Sequence, residues 1–316
     1  MATVVLGVGS SHGPTMHTEP DHWLRLGVED RQDPRFDFTA LKPGPAIENE
    51  LAPERLQERY DRCQRAIGLV SQALRDAAPD TVIVLSNPHG GVDQDRMQPT
   101  FGIYLDDPPP VTTRYPRQRA LTVSDPAERR EGPPYPTDGS LARHLMQYLV
   151  DDGFDLACAF QSRPGANLDE AFTLLQRIYD PAASVAYVPF AISRYLPNQA
   201  TPRRCYQLGN ALRRAVEAWD VDRRVVIMAS GGLSHQIIDE ALDRSVIDAL
   251  VSSDSEALCS VSRERLNGAP GTPEILNWIA CAGSMEPRAM TLVDYIPCYR
   301  SAVGTGQGVT FGIWRP

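Results

Sequence analysis

Short apolar runs rich in Val and Ile alternate along the chain with stretches whose apolar residues recur every three or four positions. The first kind predicts strands at Thr3–Val8, Thr81–Leu85, Thr100–Leu105, Ser184–Val188 and Val225–Met228, with late additions at Met290–Ile296 and Val309–Trp314. The second predicts helices over Pro53–Ala77, Gly139–Val150, Asn167–Tyr179, Pro202–Trp219, Asp239–Val251 and Pro273–Ala282. In the first of these Leu56, Tyr60, Cys63, Ile67, Val70 and Leu74 form one apolar stripe. In the last, Thr272 suits a cap and Pro273 the first helical position. Such alternation predicts an α/β fold: a central, mostly parallel or mixed β-sheet flanked by helices. Two stretches, near 17–52 and 106–138, mix Pro, charge and aromatics without a period and read as long loops, lids or rims over a site. No repeat or linker interrupts the pattern, so residues 1–316 are expected to form one domain.

Composition narrows the function classes. Lys plus Arg total 31 against 40 Asp plus Glu, a net charge of −9. That balance argues against a nucleic-acid partner, which is held by neutralising phosphates. No apolar run approaches the roughly 18 residues a membrane span needs, and MATVVLGVGSSHGP lacks a basic leader. A cytoplasmic location follows as the expectation. The six cysteines form no CxxC pair and read as reduced thiols, with Cys298 expected to be partly exposed.

Three of the six histidines share one address. His12 follows VVLGVGSS, His89 follows TVIVLSNP and His235 follows VVIMASGGLS, each just after a predicted strand. Ligands of open α/β sheets bind outside the carboxyl ends of the strands, so three imidazoles from distant segments are directed to one crevice. His17 and His22 read as polar loop residues and His144 as a helix-face residue. Imidazole binds Fe, Zn, Cu and Ni, and two histidines with one carboxylate leave positions open for substrate and O2. The third histidine would then be a general base. Composition alone selects no carboxylate.

Ordered motifs go further. VGSSHGP at 8–14, PDTVIVLSNPHG at 79–90, QPTFGIYL at 98–105, TPRRCYQLGNALRRAVEAW at 201–219, VVIMASGGLSHQ at 225–236, PEILNWIACAGSM at 273–285 and DYIPCYRSAVGTG at 294–306 occur in sequence. With these the chain resembles the class III extradiol ring-cleavage dioxygenases, the LigB-like family of the protocatechuate 4,5-dioxygenase catalytic subunit and of gallate and 3-O-methylgallate dioxygenases. The resemblance implies an oxidoreductase that binds Fe(II) through His12, His89 and Glu274, with His235 as acid–base residue. It also implies a small aromatic substrate, O2 and a homodimer. Without the resemblance Glu274 reads only as an acid favoured at a helix start. Two departures stand out. The metal-histidine motif, commonly Asn-Asp-His in the relatives, is Asn87-Pro88-His89 here. A mid-chain active-site histidine of the relatives is replaced by Pro164 or Glu170, with Glu170 fitting the surrounding pattern better and so taking the catalytic position. A differently substituted ring, or changed acid–base chemistry, is consistent with that loss. Tyr104, Tyr299 and Arg300 are rim or substrate-contact candidates, with packing or solvated surface the preferred reading of each. The alternatives are a zinc hydrolase in the same crevice and a non-catalytic binding relative.

Overall fold

The computed structural model describes residues 1–32, 37–41, 43, 45–88, 99–105, 136–159 and 170–316, without the side chains of residues 45, 46, 159 and 170. His89, Pro164, residues 106–135 and the side chain of Glu170 therefore lie outside the description. In chain order the elements are β1 (Thr3–Ser10), α1 (Trp23–Asp30), α2 (Pro45–Asn49), α3 (Pro53–Ala77), β2 (Thr81–Ser86), β3 (Phe101–Tyr104), α4 (Gly139–Asp151) and β4 (Ala157–Ala159). They continue with α5 (Glu170–Tyr179), β5 (Ala186–Ile192), α6 (Pro202–Glu217), β6 (Arg224–Ser230), β7 (His235–Ile237), α7 (Glu240–Ser252), α8 (Ser255–Cys259) and α9 (Arg263–Leu266). The last are α10 (Ile275–Met285), β8 (Thr291–Tyr299) and β9 (Thr305–Trp314).

Among the described residues the strands form one mixed nine-stranded sheet in the order β4-β3-β5-β2-β6-β1-β9-β7, with β8 paired to β9. Its centre, β5-β2-β6-β1, is parallel; β3 joins β5, and β9 joins β1, in antiparallel fashion. Consecutive residues of β2 and β6 face opposite sides, as the strand period requires. Ile83, Leu85, Val225 and Ile227 pack with α4, α6 and α10, while Val82, Val84, Val226 and Met228 pack with α3 and α5. Helices α6 and α10 approach closely because Gly209 meets the Ala280 carbonyl, where a Cβ would overlap it.

The α/β expectation holds, and the differences have local causes. Segment 17–52 is not irregular throughout. It carries a 3-10 turn at Pro20–His22, α1 and α2, and buries Trp23 and Leu26. These pieces are too short to show a period between prolines. Strand β5 runs on to Ile192, beyond the expected Val188. Pro189 marks a stop for sequence reasoning, yet it pairs in register with Val84. Strands β4 and β7, three residues each, offer too few positions for an alternation to register. Cys298 is buried rather than partly exposed, its Sγ 4.0 Å from that of Cys63, because its side of β8 faces α3.

Candidate active site

Strands β5, β2, β6 and β1 end side by side, so the residues after them share one edge: Ser193-Arg194, Asn87-Pro88, Gly231-Gly232 and Ser11-His12. Chain order reverses there, since β6 separates β1 from β2, and such a switch point is where α/β sheets open a crevice.

Three side chains named from the sequence converge at this edge. His12 is buried, and its Nε2 lies 3.6 Å from Glu274 Oε1. His235 brings Nδ1 to 3.5 Å from the same oxygen. Glu274 is fully buried, and its Oε2 accepts the Gly232 N–H at 2.9 Å. Both imidazole distances exceed the ordinary hydrogen-bond range.

The supporting bonds set the chemistry of His12. Ser230 donates its hydroxyl hydrogen to the Ala171 carbonyl at 2.6 Å, so toward His12 Nδ1, at 3.0 Å, it acts as acceptor. In the neutral ring Nδ1 then carries the proton, and Nε2 turns its lone pair toward Glu274. A lone pair facing a carboxylate across 3.6 Å suits a cation shared between them, with Ser230 orienting the ligand from behind. Ser86 also donates to the Ala171 carbonyl, at 3.0 Å, which anchors the start of α5 and so the backbone at Glu170 beside the site.

Glu274 is placed by the turn leading into α10. Thr272 is not the cap expected from sequence; Gly271 takes that position, and Thr272 Oγ1 accepts the His235 N–H at 3.3 Å. The backbone turns so that its hydroxyl serves β7 instead. One turn beyond Glu274, Asn277 donates to Asn87 Oδ1 at 2.6 Å and to the Ser230 carbonyl at 2.8 Å. Asn87 in turn donates to the Ile192 carbonyl at 2.7 Å, so three strand ends are tied to α10. Gly231 adopts φ 140°, a backbone shape that favours glycine, and a Cβ there would crowd the Glu274 carboxylate.

The His235 side rests on Asp243. Asp243 accepts the Ser234 N–H at 2.7 Å, the Ser234 hydroxyl at 2.7 Å and the Tyr295 hydroxyl at 2.7 Å. Burial pushes its carboxyl up to about 6, against these hydrogen bonds, which lower it. Burial opposes the charged form of Glu274 too, but the imidazoles of His12 and His235, where they carry a proton, overcome it and hold that carboxyl well below the usual range. His235 is lowered, chiefly by burial, with Glu274 working the other way.

Among the described residues no group of three His, Cys, Asp or Glu side chains is arranged to hold an ion. Two of the three expected ligands, His12 and Glu274, meet, while His89 falls outside the description. Of the rim candidates, Tyr299 donates to Glu240 at 2.8 Å and buried Arg300 pairs with Asp30 at 3.1 Å, both internal engagements. Tyr104 ends β3, half-buried. His144 lies on α4, 2.8 Å from the Ala215 carbonyl, as a helix-face residue should. Sequence reasoning missed Arg194, Ser230, Asn277 and Asp243. The last two left a signal, a polar residue at an apolar-face position of a helix; Ser230 and Arg194 left none. Among the described residues no helix is long and apolar enough to cross a membrane.

Comparison with known proteins adds a family. Gallate dioxygenase of Pseudomonas putida is 32% identical over 170 residues, 50% of this chain and 48% of its own. The 2,3-dihydroxyphenylpropionate/2,3-dihydroxicinnamic acid 1,2-dioxygenase of a Rhodococcus species is 28% identical over 180 residues, 57% and 51% of the two chains. The chain thus spans about half the length of the curated relatives it matches. An uncharacterized Escherichia coli protein of known structure aligns over 98% of this chain and 99% of its own at 12% identity, with a TM-score of 0.46. Residues 44–306, from before α3 into β9 and taking in Glu274 and His235, match the catalytic LigB subunit of aromatic ring-opening dioxygenase, and the chain belongs to that family.

Proposed function

We propose that the protein is a non-haem Fe(II)-dependent extradiol dioxygenase. It inserts both atoms of O2 into a catechol-, gallate- or related hydroxylated aromatic ring and opens the ring beside the two hydroxyls. The carrying observation is the Ser230 relay, which turns the His12 Nε2 lone pair toward a buried carboxylate. The donor set of that pair, imidazole and carboxylate, fits Fe(II), and His89 would be the third ligand. Fe(II), when bound, supplies a Lewis-acidic centre that brings phenol oxygens and O2 together.

The chain's own residues do the rest. His12, His89 and Glu274 hold the ion. His235 Nδ1, buried and without a hydrogen-bond partner among the described residues, faces the same carboxylate oxygen. Its lowered pKa keeps it neutral near pH 7, so it takes a phenolic proton at Nδ1. The resulting imidazolium is stabilised by Glu274 and returns the proton as the ring opens. Glu170, at the start of α5, is the second catalytic group in this reading. The active unit is one domain over residues 1–316, assembled as a cytoplasmic homodimer.

Anaerobic reconstitution with Fe(II), followed by O2 uptake on a panel of catechols, gallates and aminophenols, tests the reading. Stoichiometric uptake with ring opening is expected on at least one compound, and none with Zn(II) in its place. Full iron occupancy with no uptake on any compound overturns it. His235→Phe should keep its iron and lose turnover by about 100- to 10,000-fold. Near-normal turnover would remove His235 as the base.

A further inference from the structure

Arg194 takes no part in the chemistry just described, yet it stands at its centre. It follows β5, and only 5% of its side chain is exposed. Nη1 lies 3.5 Å from Glu274 Oε1, the oxygen both imidazoles face. Nη2 donates to the Tyr195 hydroxyl at 2.8 Å, and Cζ sits 4.9 Å from the Tyr195 ring centre. Nε is buried without a hydrogen-bond partner among the described residues. Gln199 holds the Arg194 carbonyl at 3.0 Å, fixing the backbone that aims the side chain.

A guanidinium stays charged at any working pH, and burying it is costly unless it is well paired. Among the described residues its one ion-pair partner is Glu274, at the outer limit of a hydrogen bond. Glu274 is itself shared. Oε2 serves the Gly232 N–H, and Oε1 faces both imidazoles. A metal cation on Oε1 would leave one carboxylate charge between two cationic groups. The described part of the site thus leaves one guanidinium N–H, at Nε, with nothing to donate to.

Resting on the ring-cleavage reading, we propose that Arg194 determines substrate specificity by reading a negatively charged substituent on the aromatic ring. Its free donor capacity suits a planar oxyanion, a carboxylate above all, through charge-assisted hydrogen bonds. The substrates it favours are therefore hydroxylated aromatic acids, and their uncharged counterparts bind more weakly.

The test uses 3,4-dihydroxybenzoate and 2,3-dihydroxybenzoate, each against its own methyl ester, with the full-length Fe(II) protein. Anaerobic calorimetry gives Kd, and O2 uptake gives kcat and KM. For at least one isomer the wild type should prefer the acid by about 10- to 100-fold, the worth of one charge-assisted pair. In Arg194→Met that preference should fall to about one, through Kd and KM rather than kcat, with iron content retained. Arg194→Lys, which keeps the charge but not the fork, should recover part of it. Equal losses for acid and ester, or loss of iron in both variants, would make Arg194 a mere support for Glu274 and overturn the proposal. So would a wild type that binds acid and ester alike for both isomers. Failure of ring cleavage itself reads differently: no compound consumes O2, while calorimetry still reports whether an acid preference exists and depends on Arg194.

Discussion

Glu274 and Asp243 are both fully buried, one facing the His235 ring and the other gripping Ser234 just before it, yet their surroundings drive them apart. Glu274 looks at two imidazoles and a guanidinium, and is held charged well below the usual carboxylate range despite burial. Asp243 receives only neutral donors, a backbone N–H and two hydroxyls, and burial lifts it to about 6. Burial alone therefore says little about a carboxylate's task. A carboxylate faced by imidazoles that can carry a proton, and by a guanidinium, is prepared to hold charge. One ringed by neutral donors fixes geometry, here by gripping the residue just before His235.

Three substitutions probe that contrast. The largest effect is expected from Glu274→Gln. It keeps the shape and removes the charge, so, on the proposed ligand set, iron taken up after Fe(II) reconstitution should fall to trace levels and turnover by at least about 100-fold. Metal analysis beside an activity assay checks this, and full iron in the variant would contradict the ligand assignment.

Asp243→Asn should leave iron in place and act on stability. Because the folded carboxyl is raised above its ordinary value of 3.8, the folded state holds that proton more tightly than the unfolded chain. Its contribution is present below about pH 4 and is lost as pH rises to about 6, by roughly 3 kcal/mol in all. Glu274 has the opposite sign: its contribution is lost as pH falls. Urea unfolding of wild type and Asp243→Asn from pH 4 to 7 should show wild type losing stability relative to the variant over that window. A difference that stays flat with pH would contradict the raised carboxyl.

Ser234→Ala is the mildest. It removes the hydroxyl that bridges Asp243 and the Asp239 N–H, costing about 1 kcal/mol. Thermal unfolding should register this while iron content stays unchanged. Loss of iron would mean that the two carboxylates are not separate in function.

Regular elements were readable where many residues repeat one preference. Helix α3 has the expected bounds, Pro53–Ala77, because 25 residues carry a single apolar face and Pro53 suits its start. Strands β1, β2 and β6 showed themselves as dense Val and Ile runs. Strand β7 did not, since three residues held by β9 need the partner strand to exist at all. Asp243 sits on the same face of α7 as Val246 and Ile247, a misplaced acid that sequence inspection could have marked. Arg194 carried no such mark, being one charged residue in a loop among many.

What the sequence determined by itself was the repeating pattern: an α/β sheet, three histidines after strands, and an ordered set of motifs. Those features depend on local periodicity and turn chemistry, which neighbouring residues set between them. Only the tertiary structure decided which of the chain's carboxylates stands beside which imidazole, and that Arg194, 80 residues from Glu274, shares its oxygen. That choice depends on strand order. The crossover that inserts β6 between β1 and β2 brings distant strand ends to one edge, and no local preference encodes it.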